Sequence, residues 1–161
     1  GVRIEHPGDP QGQLPQALNN QDVSLSLWWR NSSYPNETRG DVILRDANGQ
    51  GILGLVLGTY SLGIYFNGNR WYPVDKPIND GDWHQAVLVY NSYTYHLLLY
   101  LDGRLYWQGE NTWLTNSLAS VSVGQENWLF DLDELTLWQG ALSPTQVETM
   151  YELARPNLEE F

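Results

Sequence analysis

The sequence predicts an all-β domain, a two-sheet antiparallel sandwich with one short helix near its C-terminal end. Three observations support this fold class. Apolar and polar residues alternate with a period of two in several short segments. Turn-forming Gly, Asn, Asp and Pro residues separate these segments at short and regular intervals. No helical pattern alternates with the strand segments, which disfavours a parallel α/β sheet.

The N-terminal part of the chain predicts a short strand, a long loop and an amphipathic strand. The first twenty residues are rich in Gly, Pro, Gln and Asn, which predicts a strand at residues 2–5 followed by a loop. In the segment DVSLSLWWR, which begins at Asp22, apolar and polar residues alternate. That alternation predicts a strand with one buried face. A polar loop is expected over residues 31–41.

The rest of the chain contains further strand signals separated by turns. Asn67-Gly68 and Asp102-Gly103 are dipeptides that favour tight hairpin turns. Turns are also expected at residues 47–49 and 58–61. The strand segments, in chain order, are DVILRD, GILGLVLG, LGIYFN, WHQAVLVYN, HLLLYLD, RLYWQG, ASVSVG and FDLDELTLW.

One helix is predicted near the C-terminal end. Ser143 and Gln146 form a capping box, and Pro144 stands at the first helical position, where the missing N–H is tolerated. Pro156 is expected to end the helix because it lacks a backbone donor. Three residues fall on one face of this helix, Val147, Met150 and Tyr151. We therefore predict one domain over residues 1–156 and a linker or tail over residues 157–161.

The composition disfavours several classes of partner. The formal net charge is −11, so phosphate backbones would be repelled and we expect no nucleic-acid partner. The chain contains no cysteine, which excludes disulfides, thiolate metal sites and a cysteine nucleophile. No apolar run approaches the roughly 20 residues that span a bilayer, so we expect no membrane insertion.

Five short motifs occur in a fixed order within residues 22–151. They are DGDWH (80–84), LYLDGRL (99–105), VG (123–124), FDLDEL (130–135) and GALS (140–143). Together they resemble the laminin-G-like jelly-roll family of the concanavalin-A-like lectin and glucanase superfamily. The resemblance implies a jelly-roll sandwich and an extracellular or cell-surface module that binds a ligand and is not an enzyme.

Asp131 and Asp133 are the most suggestive acidic pair. Being two residues apart on a predicted strand, they share a face. The resemblance implies that Asp133, with Asp131, binds a structural Ca²⁺, a cation that prefers oxygen ligands. The alternative is that Asp133 accepts hydrogen bonds from backbone N–H groups. Glucanases of the superfamily carry a third acidic residue on such a strand, but Leu135 stands at that position, so a glycoside hydrolase is kept only as an alternative.

The histidines do not suggest a metal site. His6, His84 and His96 are scattered, and no pair has a spacing suited to zinc. His84 shares a predicted strand face with apolar residues. We therefore expect His84 to be packed and hydrogen-bonded and not to be catalytic.

The aromatic residues divide into two groups. Four lie within apolar alternation and are predicted core residues: Trp29, Trp83, Tyr90 and Trp138. Six lie near turns, beside Asn, Asp or Gly: Trp71, Tyr72, Tyr93, Tyr95, Trp113 and Trp128. Sugar rings stack on aromatic side chains while amides bind hydroxyls, which suggests a glycan site. The selected ligand-binding residues are Trp113, Trp128, Asn127, Trp71 and Tyr72; the alternative is that they only cover the sandwich ends.

The predicted function is recognition or adhesion within a larger secreted or surface protein. A glycan is the preferred partner, a cell-surface protein is the next, and neighbouring domains of a longer chain are expected. One alternative is a structural spacer or protein-binding module in an adhesin, pilus or phage tail.

Overall fold

The computed structural model describes residues 2–4, 11–18, 22–31, 39–58, 61–75, 78, 80–110, 112–126 and 130–159. These residues form strands and one helix, α1 (Pro144–Glu159). The strands are β1 (Val2–Ile4), β2 (Gln11–Leu18), β3 (Val23–Asn31), β4 (Arg39–Arg45), β5 (Gly51–Gly58), β6 (Ser61–Phe66), β7 (Asn69–Asp75), β8 (Trp83–Asn91), β9 (His96–Leu101), β10 (Arg104–Gly109), β11 (Leu118–Glu126) and β12 (Phe130–Gln139).

The strands form two six-stranded sheets, and neighbouring strands within each sheet pair antiparallel. Sheet A has the order β1-β12-β3-β8-β9-β10, and sheet B has the order β2-β11-β4-β5-β6-β7. One apolar core includes buried residues of both sheets, such as Leu25 and Leu88 of sheet A and Leu55 and Ile64 of sheet B. The predicted all-β jelly-roll sandwich is confirmed.

The outer face of sheet A is partly covered by α1. Val147 is buried with Val87, Val89 and Tyr100 in a second, smaller cluster. Tyr151 stacks on Trp28, with ring centroids 5.6 Å apart and planes 12° from parallel. This cover explains why Trp28, although it alternates with the core residues of β3, is buried as well.

The predicted start of the helix is confirmed, and its predicted end is wrong. The Ser143 N–H donates to Gln146 Oε1 at 2.8 Å, and the Gln146 N–H donates to Ser143 Oγ at 3.2 Å. However, α1 continues through Pro156 to Glu159. The fixed φ of proline is compatible with a helix, so Pro156 removes one donor without reversing the chain.

Two strands have no counterpart in the sequence prediction, and both are edge strands of sheet B. β2 lies where a long loop was expected, and it contains Pro15. β7 contains Pro73. Proline is tolerated at a sheet edge because the N–H on that side needs no ladder partner. Turn-forming residues therefore misled the prediction at the edges.

Two of the four predicted core aromatics are core residues, and the other two are not. Trp29 and Tyr90 are buried between the sheets. Trp83 is half-buried and pairs across the strands with Arg30, so it lies on the outer face. Trp138 is 37% exposed and donates its Nε1–H to Ser26 Oγ at 3.0 Å. Alternation identified buried strands correctly but assigned these two indoles to the wrong face.

Candidate functional site

The turns at one end of the sandwich form a hydrogen-bonded frame, which we call the aromatic end. It comprises the β4–β5 turn (46–50), the β6–β7 turn (67–68), the β8–β9 turn (92–95) and the segment 112–116. Asn116 Nδ2 donates to Asp46 Oδ2 at 2.9 Å, and Asn67 Nδ2 donates to the Trp113 carbonyl at 2.7 Å. The turns are therefore linked directly to one another and not only through their strands.

Three aromatic side chains of this frame are exposed. Tyr93 is 90% exposed, Trp113 57% and Tyr95 42%. The rings of Tyr95 and Trp113 contact each other, with centroids 5.5 Å apart and planes inclined by 49°. An exposed pair of this kind offers two differently oriented apolar surfaces to a ligand.

The β8–β9 turn holds Tyr95 in an unusual backbone conformation. Asn91 Oδ1 accepts hydrogen bonds from the N–H groups of Tyr93 and Thr94, both at 3.0 Å, which fixes the start of the turn. Tyr95 then adopts a φ of +56°. Left-handed backbone costs a residue with a Cβ roughly 1–2 kcal/mol, and turns usually place glycine or asparagine there. Such strain persists only where the surroundings impose it.

The segment after β10 supplies that constraint. The Tyr95 carbonyl accepts two hydrogen bonds from Thr112, one from its N–H at 3.0 Å and one from its Oγ1 at 2.8 Å. Thr112 is itself held by the Tyr90 hydroxyl, which donates to its carbonyl at 3.2 Å. Because Asn67 binds the Trp113 carbonyl, both members of the aromatic pair have anchored backbones. Their rings are thus positioned before any ligand arrives.

The side chains of the frame segments are acidic or neutral, although the guanidinium of Arg45 donates to the Gly49 carbonyl of the β4–β5 turn at 3.1 Å. Asp22 Oδ1 accepts from the Ser92 N–H at 2.7 Å and from Ser92 Oγ at 2.8 Å. The buried Asp46 accepts from the N–H groups of Asn48 and Gln50, in addition to Asn116. Neither lysine nor arginine occurs in the sequence of the four frame segments.

With the fold and this geometry established, the chain can be compared with known proteins. A laminin-G-type family model, described as the concanavalin A-like lectin/glucanases superfamily, matches residues 7–148. The chain belongs to this superfamily. No curated protein sequence is similar enough to count as a match.

Solved structures of the same fold agree with this membership. A heptameric SAP-like pentraxin from Limulus polyphemus is 17% identical, with a TM-score of 0.63 over 92% of this chain and 78% of the pentraxin. A botulinum neurotoxin type C structure is 12% identical, with a TM-score of 0.60 over 83% of this chain and 36% of the toxin chain. A Trypanosoma rangeli sialidase mutant is 13% identical, with a TM-score of 0.65 over 86% and 24%. At these identities the likeness shows the fold alone.

The structure separates the site residues that the sequence selected. Trp113 is exposed at the aromatic end, and Trp71, 44% exposed on β7, contacts Phe66 beside the β6–β7 turn. The backbone of Tyr72 lies in β7, but its side chain is outside the described residues. Asn127 and Trp128 are also outside them. The strand ends that flank Asn127 and Trp128, in β11 and β12, lie at the end of the sandwich opposite Trp113.

The structure adds Tyr93 and Tyr95 to the site, although the sequence had placed them only among the turn aromatics. No local pattern distinguishes them from the other four. The contact between Tyr95 and Trp113 joins residues from two different turns, and only the pairing of β9 with β10 brings these together.

Asp131 and Asp133 lie on the outer face of sheet A, towards the end of the sandwich opposite the aromatic end. The Asp131 carboxylate accepts from Arg30 at 2.6 and 2.9 Å, and the Arg30 guanidinium lies 4.9 Å from the centroid of Trp83. Asp133 Oδ1 accepts a hydrogen bond from the Glu134 N–H at 2.8 Å. This is the backbone contact that the sequence offered as the alternative to calcium binding. A bulge after Asp133 turns Leu135 into the core, so Leu135 does not share the face of the two carboxylates as predicted.

These contacts do not by themselves make a calcium site. Ca²⁺ takes six to eight oxygen ligands, and Arg30 already neutralises Asp131. Within the described ranges no group of three or more His, Asp or Glu residues could hold a metal ion. Calcium binding at Asp131 and Asp133 therefore stays a prediction. Nor is any helix in the described part of the chain long and apolar enough to cross a membrane.

Proposed function

We propose that this chain is a recognition module that binds a neutral glycan at the aromatic end, within a secreted or surface-exposed protein. The observation that carries the proposal is the exposed pair of Tyr95 and Trp113 on a hydrogen-bonded frame. Sugars present apolar C–H faces that stack on aromatic rings, and side chains that are already held in place lose little conformational entropy on binding.

The polar neighbours of the pair suit a hydroxylated ligand. Thr115 and Asn67, which hydrogen-bond to each other at 3.2 Å, lie at the same end as Trp113. Some structures of the same fold are described by a sugar ligand or substrate, which supports a glycan as the partner. Cell entry of botulinum neurotoxin type C is described as dependent on two ganglioside molecules, and the Trypanosoma rangeli structure is that of a sialidase mutant displaying trans-sialidase activity.

The charge of the site favours a neutral sugar over an acidic one. The chain carries a formal net charge of −11, and the exposed Glu110 precedes the segment that carries Trp113. A carboxylate-bearing sugar would need a cationic partner, and the four frame segments contain no lysine or arginine. The Arg45 guanidinium reaches the β4–β5 turn, where it donates to the Gly49 carbonyl and to Ser122 Oγ. The preference for a neutral sugar therefore rests on the net charge of −11 and not on the absence of a cation.

The proposal is a binding role and not a catalytic one. Glycoside hydrolysis requires two carboxyl groups facing the scissile bond. Glu110 is exposed beside this end, but Asp22 and Asp46 each accept two or more hydrogen bonds from the protein itself. They serve the frame and not a substrate.

A surface protein is the second candidate partner, and Tyr93 is the observation that favours it. At 90% exposure its ring projects from the turn. Tyrosine and tryptophan are enriched among the residues that dominate protein interfaces.

The deciding experiment is a glycan array probed with the wild-type chain, Trp113→Ala and Tyr95→Ala. Tyr106→Ala is the matched control, because Tyr106 is 46% exposed on β10 and outside the frame segments. We expect a neutral glycan to bind, its sialylated counterpart to bind less, and each site variant to weaken binding about tenfold, the effect of one aromatic contact of about 1.4 kcal/mol. Equal binding by the site variants and the control would reject the proposed site.

A further inference from the structure

The DGDWH motif (80–84) has no part in the aromatic end, and its histidine has an unusual environment. The His84 side chain is only 14% exposed, and its ring lies 5.6 Å from that of Trp29. Nδ1 lies 2.8 Å from Asp102 Oδ2, and Nε2 lies 2.9 and 3.0 Å from the two carboxylate oxygens of Asp80. The expectation of a packed, hydrogen-bonded histidine is confirmed, with a carboxylate at each ring nitrogen.

This geometry has a consequence for the proton count of the ring. A neutral imidazole has one N–H donor, whereas the imidazolium has two. Ionised carboxylates only accept hydrogen bonds, so the two aspartates require a donor on both nitrogens. Only protonated His84 satisfies both contacts at once.

The balance of effects on the ring agrees with the geometry. Burial acts to lower the pKa of His84, but the hydrogen bonds and charges of Asp102 and Asp80 outweigh it and raise the pKa. Burial acts to raise the pKa of Asp80, but its bonds to His84 and to the Asp82 N–H outweigh that effect and lower it. Each group favours the charged form of the other.

The charged groups around the ring are mainly acidic. The segment before β8 contributes Asp80 and the exposed Asp82, and the β9–β10 turn contributes Asp102. From β3 the ring meets Trp29. Arg30 follows Trp29, but its side chain lies on the other face of sheet A and binds Asp131. Arg104, which follows the β9–β10 turn, is exposed.

We propose that Asp80, His84 and Asp102 form a proton-dependent clamp. With both ring nitrogens protonated, the clamp ties the segment 80–82 and the β9–β10 turn to the start of β8. When one proton leaves, the contact to Asp80 opens and the segment 80–82 loses its anchor. The proposal concerns the opposite end from the glycan site and is independent of it.

The two carboxylates differ in a way that decides which contact opens. Besides its contact with His84, Asp102 makes two hydrogen bonds with Gln85. Its Oδ1 accepts from the Gln85 N–H, and its own N–H donates to the Gln85 carbonyl, both at 2.9 Å. The Asp80 side chain is 48% exposed and can be solvated. A neutral imidazole therefore keeps its proton on Nδ1, facing Asp102, and Asp80 turns to water.

Nitrogen NMR of the ring tests the clamp in the intact chain. We expect both ring nitrogens of His84 to carry protons at pH 6, and Nε2 to lose its proton first as the pH rises. The titration midpoint is expected to move to lower pH in Asp80→Asn. His96 has no carboxylate partner within the described residues, and its signals in the same spectra serve as the control.

Hydrogen exchange provides the second readout. The Asp82 amide donates to Asp80 Oδ1 at 3.0 Å. After correction for the intrinsic pH dependence, it is expected to exchange about tenfold faster once His84 is neutral, and Asp80→Asn should abolish that pH dependence. Asp80 is the half-exposed member of the clamp, so Asp80→Asn leaves the packing of the core unchanged. A single ring proton on His84 at pH 6, or an unchanged midpoint in Asp80→Asn, would overturn the proposal.

Discussion

At the aromatic end, large side chains are exposed, and hydrogen bonds to carbonyl, amide and carboxylate oxygens hold the turns. At the opposite, histidine end, Trp29 and His84 pack together, and ion pairs of His84 with two aspartates hold the turns. Both ends contain a non-glycine residue with left-handed backbone, Tyr95 at one and Asp102 at the other. Asp102 uses its side chain to hold His84 and β8, while the Tyr95 ring contacts the exposed ring of Trp113. The difference indicates that backbone strain supports the fold at one end and presents a surface at the other.

The largest expected effect compares one tryptophan from each end. Trp29→Ala removes a buried indole that packs against His84 and should lower the free energy of unfolding by about 3–5 kcal/mol. Trp113→Ala removes a mostly exposed indole and should cost under about 1 kcal/mol. Urea denaturation of both variants measures the contrast. Similar losses in the two variants would show that Trp113 is a core residue and not a recognition residue.

The second effect is a pH dependence of stability near neutral pH, and it belongs to the histidine end. The folded pKa of His84 is raised, so its contribution to stability is complete below the unfolded value of 6.5 and is lost as pH rises through the folded pKa. The folded pKa of Asp80 is lowered, so its contribution is complete above 3.8 and is lost as pH falls through the folded pKa. The clamp is therefore complete at mildly acidic pH.

The size of this pH effect on stability can be bounded. A hydrogen bond to a charged group contributes about 1.5–3 kcal/mol, and the exposure of Asp80 places this one at about 1 kcal/mol. Unfolding free energies measured from pH 5 to pH 9 should fall by that amount in the wild type and by less in Asp80→Asn. Trp113→Ala is the control from the other end and should keep the wild-type pH slope.

The sequence predicted the strands well because core packing and turn chemistry act over short distances. β5, β8 and β10 have the predicted bounds, and the predicted turns at 67–68 and 102–103 have positive φ at both central residues. The prediction failed where a strand is defined by its neighbours, as in β2. It also failed where a bulge changes which face a residue lies on, as at Leu135.

The candidate site was predictable only in part for the same reason. Trp113 could be selected because an aromatic residue beside Asn and Thr in an irregular segment rarely belongs to a strand. Its partner Tyr95 is 18 residues earlier in the chain, and the pair exists because two turns meet. The clamp was less accessible still, since Asp102 was predicted only as a turn residue and His84 only as a packed one.

The third effect tests the strain at Tyr95. Both Tyr95→Gly and Tyr95→Ala lose the ring, but only glycine accepts a φ of +56° without cost. Left-handed backbone costs alanine roughly 1–2 kcal/mol, and the greater unfolded-state entropy of glycine offsets about 0.4–1 kcal/mol of that. Tyr95→Gly should therefore be more stable than Tyr95→Ala by about 1 kcal/mol, while both bind the glycan about tenfold more weakly than the wild type. Thermal melts and binding titrations compare them, and the opposite order of stability would mean that the turn relaxes in the variants.

The smallest expected effect concerns Arg30 and calcium. A Ca²⁺ ion at Asp131 and Asp133 would have to displace or tolerate the guanidinium that contacts Asp131 at 2.6 Å. The repulsion between a divalent ion and a unit positive charge about 4 Å away is about 2 kcal/mol in water, and physiological salt reduces this to about 1 kcal/mol. Arg30→Gln should therefore raise the Ca²⁺ affinity about fivefold over the wild type in calorimetric titrations of chelator-treated protein. Asp133→Asn in the same background should abolish binding, which separates this site from any other acidic patch on a chain of charge −11. If neither the wild type nor Arg30→Gln responds to millimolar Ca²⁺, the calcium prediction is wrong, and Arg30 is the cation that these strands use.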